Sequence, residues 1–151
     1  MNSLNFNNVD YIIYTDGACI GNPGRGGWAA LIISESQKKS LVGSEKLTTN
    51  NRMELMAVIM ALKSIENMRC IILFSDSKYV IDGITKWIKK WKINNWKSSN
   101  KKPVKNVDLW KELDELTKKL TIDWKWVKAH STDIYNNEVD KLARKEAEKI
   151  I

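Results

Sequence analysis

Two strongly apolar, strand-forming runs each end on an acid, and this pairing constrains the fold more than anything else in the chain. Residues 11–17 read YIIYTDG, with Asp16 just past a four-residue β-forming run. Residues 70–77 read CIILFSDS, with Asp76 in the same relation to a second run. Burying a carboxylate without a partner costs roughly several kcal/mol. If the two strands are parallel neighbours, their ends lie ~4.8 Å apart. Acids at that spacing repel each other, and a divalent cation removes the conflict.

The rest of the chain reads as one α/β domain spanning residues 1–151. Residues 1–8 are polar and expected to be loose. Strands are expected at 11–14, 28–34 and 40–46, with a turn-rich loop at 18–27 cornered by Asn22, Pro23 and Gly24. Their short connections allow only antiparallel pairing. Residues 51–66 carry a broad apolar face at helical spacing, including Met53, Leu55, Met56, Val58, Ile59, Met60 and Leu62. Residues 71–74 are wholly apolar, which predicts a strand covered on both faces and, after a helical crossover, parallel to the first. A helix follows over 77–91, with Gly83 as a point where it bends or breaks. Further on come a lysine-rich connection (92–105), a helix (107–120), a strand (122–128) and a polar loop (130–137). A last helix turns Val139, Leu142, Ala143, Ala147 and Ile150 inward. The order β-β-β-α-β-α-α-β-α predicts a five-stranded mixed sheet, three strands antiparallel and then two parallel, flanked by helices. In such sheets ligands lie at the carboxyl ends of the parallel strands, where Asp16 and Asp76 stand.

Net charge is +7, and its distribution is uneven. Lys86, Lys89, Lys90, Lys92, Lys97, Lys101, Lys102 and Lys105 put +8 into one stretch without Asp or Glu, leaving −1 for the rest. A solvated lysine face would explain this, but Trp87, Trp91 and Trp96 lie among the lysines. Indole faces stack on sugars and bases, so the segment points to a nucleic acid. No apolar run is long enough to span a membrane, and the first residues do not match a secretory signal. Cys19 and Cys70 form no metal or redox motif; free thiols and a cytoplasmic location are expected.

Each remaining acid has an ordinary explanation when taken alone. Glu54 would complete a capping box with Asn51. Asp76 would cap a helix, Asp16 would make an Asx-turn, and Asp140 would face the dipole in the first turn of the last helix. Together, all four lie at element ends that can reach one edge of the sheet. Four carboxylates suit Mg²⁺ or Mn²⁺ rather than Zn²⁺. His130, the sole histidine, closes the last strand, where it can exchange protons near neutral pH.

Several blocks resemble type 1 ribonuclease H, the bacterial RNase HI branch. They are TDGACIGNPGRGGW (15–28), TTNNRMELMA (48–57), SDSKYV (75–80), KKPVKNVDLW (101–110), WVKAHS (126–131) and NNEVDKLA (136–143). The resemblance implies endonucleolytic cleavage of RNA within an RNA–DNA hybrid, leaving 5′-phosphate and 3′-hydroxyl ends. It implies Asp16, Glu54, Asp76 and Asp140 as ligands of two Mg²⁺ ions, with Mn²⁺ a possible substitute, and His130 as a mobile catalytic histidine. It further implies a monomer with a basic protrusion at about 86–105 that engages the DNA strand. Trp87 and Trp91 would contact sugars there, beside Lys89 and Lys90. Asn22, Asn50 and Asn51 would read the RNA, and Thr49 and Asn106 would hold a DNA phosphate. Three positions depart from the family pattern: Leu47 for an arginine of the phosphate pocket, Lys78 for a glutamine that contacts RNA, and Ala129 for the glycine before the histidine. Two other readings fit the residues: a non-catalytic nucleic-acid binder, and a DNA-directed nuclease of resolvase or integrase type.

Overall fold

The computed structural model describes residues 4–149. Ile150, expected to face inward, lies outside the described residues. One five-stranded sheet runs in the order β3-β2-β1-β4-β5. Strands β1 (Tyr11–Ile20), β2 (Gly24–Ile33) and β3 (Lys38–Thr48) form the antiparallel part. Strands β4 (Cys70–Ser75) and β5 (Thr121–Trp126) are parallel to β1. This is the mixed sheet expected from the element order.

The β1–β2 hairpin is longer than its residues suggested. Glycines and Asn-Pro at 21–26 read as loop, yet the ladder runs from Ile12↔Ile33 to Ile20↔Arg25. Cross-strand hydrogen bonds to a buried neighbour outweigh the poor strand propensity of glycine. Asp16 is therefore not past the end of its strand. It pairs with Ala29 on the antiparallel side, while the parallel ladder with β4 stops at Thr15↔Ser75. Asp16 and Asp76 each stand one residue beyond that last parallel pair.

Both sheet faces are covered, as the apolar β4 run predicted. On one face Ile13, Ala30, Ile32, Ile71 and Leu73 pack with Leu55, Val58, Ile59 and Leu62 of α1 (Asn50–Lys63). Leu109, Trp110 and Leu113 of α4 (Val107–Thr117) close that core. On the other face Ile12, Tyr14, Ala29, Leu31 and Ile33 meet Val139 and Ala143 of α5 (Ile134–Lys149). Leu4, Phe6 and Val9 also pack there, so the described part of the N-terminal segment is not loose.

The helix expected over residues 77–91 forms in three joined pieces. These are α2 (Lys78–Asp82), a π-helical turn (Gly83–Trp87) and α3 (Ile88–Ile93). Gly83 neither breaks the helix nor needs a special backbone angle; its φ is −60°. A Cβ there would collide with the Trp110 ring, which is 0% exposed. Glycine thus lets the segment lie against α4, and the widened turn keeps the helical path continuous.

Candidate active site

The site begins with two close approaches. Gly17 carries no Cβ, and one placed there would overlap the α1 backbone at Met53 and Glu54. Strand β1 therefore touches the first turns of α1 directly and brings Asp16 beside Glu54. By strand alternation Asp16 shares a face with Ile12 and Tyr14, the face α5 covers, whereas Glu54 comes from the opposite layer. The acids meet over the rim of the sheet.

The ordinary explanations for these acids do not describe this arrangement. Thr49 caps α1, accepting from Arg52 N–H at 3.3 Å, so Glu54 completes no capping box with Asn51. Ser77 caps α2, accepting from Val80 N–H at 3.1 Å, and leaves Asp76 free of that task. Asp16 Oδ1 does accept a local bond, from Gly17 N–H at 2.8 Å. Asp133 accepts from Tyr135 and Asn136 N–H at the start of α5, which places Asp140 in the second turn rather than the first. There its carboxylate gains little from the helix dipole.

Asp16, Glu54 and Asp76 offer oxygens that all lie within 4.8 Å of one another. Among the described residues this is the one such group of three. Asp16 is 6% exposed. Burial, then the charge of Asp76, pushes its carboxyl far above the usual carboxylate range. Glu54 is raised to about 7, first by burial, with the Ser77 hydroxyl pulling the other way and Asp76 adding to the rise. Asp76 is also raised by burial and held down by Asn136. An all-carboxylate donor set that resists ionisation until a cation arrives fits a hard divalent metal. No nitrogen or sulfur ligand joins the group.

Asp140 stands outside this trio. Its charge reaches both Asp16 and Asp76, and Arg144 holds its Oδ2 at 2.9 Å. His130 is exposed, with a left-handed φ of 54°. It lines a cavity of about 330 Å³ together with Gly17, Asn50, Asp140 and Arg144.

The sequence reading missed Asn136. It is 1% exposed, and its Nδ2 donates to Asp76 Oδ2 at 3.4 Å. Its Oδ1 has no hydrogen-bond partner among the described residues. Its position four residues before Asp140 puts both on one face of α5, and that spacing was the available signal.

The other predicted residues divide into two groups. Asn22 Oδ1 accepts from Asn50 N–H at 3.1 Å, tying the β1–β2 turn to the start of α1, where Asn51 also lies. Lys78 sits on the Trp126 ring, 4.4 Å from its centroid, and Trp126 Nε1 donates to the Asp76 carbonyl at 3.1 Å. At the start of α4, Asn106 Oδ1 accepts from Arg52 of α1 at 3.2 Å, and its Nδ2 donates to Tyr79 Oη at 3.0 Å. Leu47 is 75% exposed near Thr49. Of the three tryptophans in the basic stretch, only Trp87 is exposed, at 38%. Trp91 packs on Trp110 with centroids 5.2 Å apart, and Trp96 joins the same core. Lys89 and Lys90 are exposed on α3.

A mixed sheet carrying clustered acids beyond its parallel strands defines a metal-dependent α/β enzyme in outline. Residues 8–148 match the RNase H family model. The ribonuclease H of Wolbachia pipientis wMel is 60% identical over 136 residues, covering 90% of this chain and 94% of its own. That of Maricaulis maris (strain MCS10) is 57% identical over 133 residues, covering 87% and 89%. Among solved structures, LC9-RNase H1, a type 1 RNase H with the type 2 active-site motif, superposes with a TM-score of 0.84. It is 27% identical, over 96% of this chain and 75% of that one. The chain belongs to the RNase H family, and it is an enzyme of that family.

Proposed function

We propose that this enzyme hydrolyses the RNA strand of RNA–DNA hybrids endonucleolytically, leaving 5′-phosphate and 3′-hydroxyl ends. The observation that carries this reading is the meeting of Asp16, Glu54 and Asp76 within 4.8 Å at the rim of the sheet. Two Mg²⁺ ions, or Mn²⁺ in their place, supply when bound an activated water and a neutralised leaving oxygen. Asp16 is central and is assigned to both ions, Glu54 and Asp76 to one, and Asp140 to the other. His130 would assist protonation of the leaving oxygen or departure of the product; its exposure, in a cavity shared with Asp140, supports that role. Asn136 holds the Asp76 carboxylate in register through its amide.

Strand discrimination follows from asymmetry around these acids. Asn22, Asn50, Asn51 and Lys78 surround one side and are assigned to the RNA strand, where 2′-hydroxyls meet polar groups. Trp87, Lys89, Lys90 and Trp91, on the basic protrusion at about 86–105, are assigned to the DNA strand. Thr49 and Asn106 take a DNA phosphate. The whole chain is read as one domain acting as a cytoplasmic monomer. No helix among the described residues is long and apolar enough to cross a membrane.

The test is a labelled hybrid, duplex DNA and duplex RNA, each incubated with the protein and Mg²⁺. Cleavage confined to the RNA of the hybrid, lost in EDTA, is the expected result. Hybrid binding without cleavage under any metal would leave only a binding module, and cut duplex DNA would indicate a DNA-directed nuclease.

A further inference from the structure

Arg144 has no part in the roles assigned above, yet it borders two cavities beside Asp140. It lines the 330 Å³ cavity with His130 and Asn50, and a second of about 360 Å³ with His130 and Asn137. Its side chain is 60% exposed, and its guanidinium holds Asp140 at 2.9 Å, four residues back on α5. That ion pair keeps the Asp140 carboxylate occupied while the other three acids crowd together. An acid paired with arginine is a poorer metal ligand, because the cation must first displace the guanidinium. Exposed i,i+4 pairs are weak, so the displacement is easy if the arginine has somewhere better to go. A phosphodiester is such a place, since its oxygens match the planar fork. Lys141 and Lys145 stand exposed beside Arg144, and Glu148 is the one acid in that groove. The rim therefore favours an anion, on the face of the sheet away from α1 and α4.

We propose that Arg144 is a counter-ion which a backbone phosphate of the RNA strand takes from Asp140, so that Asp140 takes metal more readily once substrate is seated. The inference rests on the two-metal reading above. Arg144 is a positioning residue for Asp140, and a second cationic contact for the nucleic acid lies apart from the lysine-rich protrusion. Substrate and second metal then bind with positive coupling, which limits occupation of a complete centre in the absence of a hybrid.

The experiment compares wild type with Arg144→Gln and Arg144→Lys, using Mn²⁺ alone as one probe and a hybrid in EDTA as the other. Calorimetry on the free protein should show the weaker Mn²⁺ site tightened about two- to five-fold in Arg144→Gln, the worth of an exposed ion pair. Hybrid binding by that variant should weaken, and its log–log salt slope should become shallower by about 0.9, one phosphate contact. Arg144→Lys should keep the salt slope. An Arg144→Gln protein with the wild-type Mn²⁺ isotherm, or with an unchanged salt slope, overturns the proposal while the metal reading stands. Wild-type protein that takes up no Mn²⁺ removes the metal reading itself, and the inference with it.

Discussion

The acid cluster and the lysine-rich segment treat charge in opposite ways. Asp16, Glu54 and Asp76 are drawn into the protein and crowded together, so that each is hard to ionise. The lysines from Lys86 to Lys105 stand in water, apart from one another and mostly unburdened by burial. A group held in low dielectric acts strongly on whatever reaches it, at a cost in stability. A solvated group costs almost nothing to keep and contributes through number and long reach. Chemistry is thus placed where charge is expensive, and affinity where it is cheap. Beneath the exposed lysines the segment has its own rigid base. Tyr79 Oη receives bonds from both Trp110 Nε1 and Asn106 Nδ2 at 3.0 Å, and Trp91 meets Trp110 edge to face.

The sharpest way to break this contrast is Asp16→Asn. Hybrid cleavage should fall by about 10³-fold or more, equal to several kcal/mol of transition-state stabilisation. The metal-free variant should also melt higher than wild type, since an amide needs no proton taken up on folding to be buried there, and a thermal scan in EDTA reads that directly. Replacing Lys89, Lys90 and Lys92 together by alanine should act on the other term. Hybrid affinity should drop roughly ten- to a hundred-fold at physiological salt, and the salt slope should flatten by about two to three. Turnover at saturating hybrid should change little; a large fall in that rate would mean the two regions are not separable.

Gly83→Ala tests the base of the basic segment. The added methyl has no room beside Trp110, and overpacking of this kind costs about 1–3 kcal/mol, measurable as a lower denaturant midpoint. An effect of comparable size is expected on pH dependence. Glu54 titrates near 7 in the folded chain against an ordinary 4.5, so the folded state binds more protons than the unfolded one between those values. Metal-free stability should therefore fall as pH rises from 4.5 to about 7, by up to about 3 kcal/mol. Mg²⁺ should reverse the trend, and stability that rises with pH in EDTA would remove the crowding from the account.

How much of this was legible in the residues depended on the range of the interaction. The mixed sheet followed from apolar runs, connection lengths and the handedness of crossovers, all local or nearly so. The hairpin extension through Ala18–Ile20 and Arg25–Gly27 was not legible, because glycines carry no strand preference and only the pairing of β1 with β2 holds these residues extended. Trp91 and Trp96 looked fully available for stacking, yet each is half-buried and rests partly on the core; a tryptophan at helical spacing does not say which side its neighbours occupy. Asn136 went unremarked because an asparagine near a helix start has many ordinary uses. Only the approach of α5 to β4 gives it a carboxylate to hold.

The sequence by itself determined the succession of elements and the mixed strand pairing, the surplus of lysine in one stretch and the identity of the acids able to meet. Those depend on residue type, spacing and chain direction, which a one-dimensional string contains. Tertiary structure alone decided that three of those acids close within one small volume while the fourth is held by Arg144. That outcome turns on the missing Cβ of Gly17, which lets a strand and a helix 37 residues apart in the chain come into backbone contact. Excluded volume between distant segments acts only once the chain is packed, so no local pattern announces it.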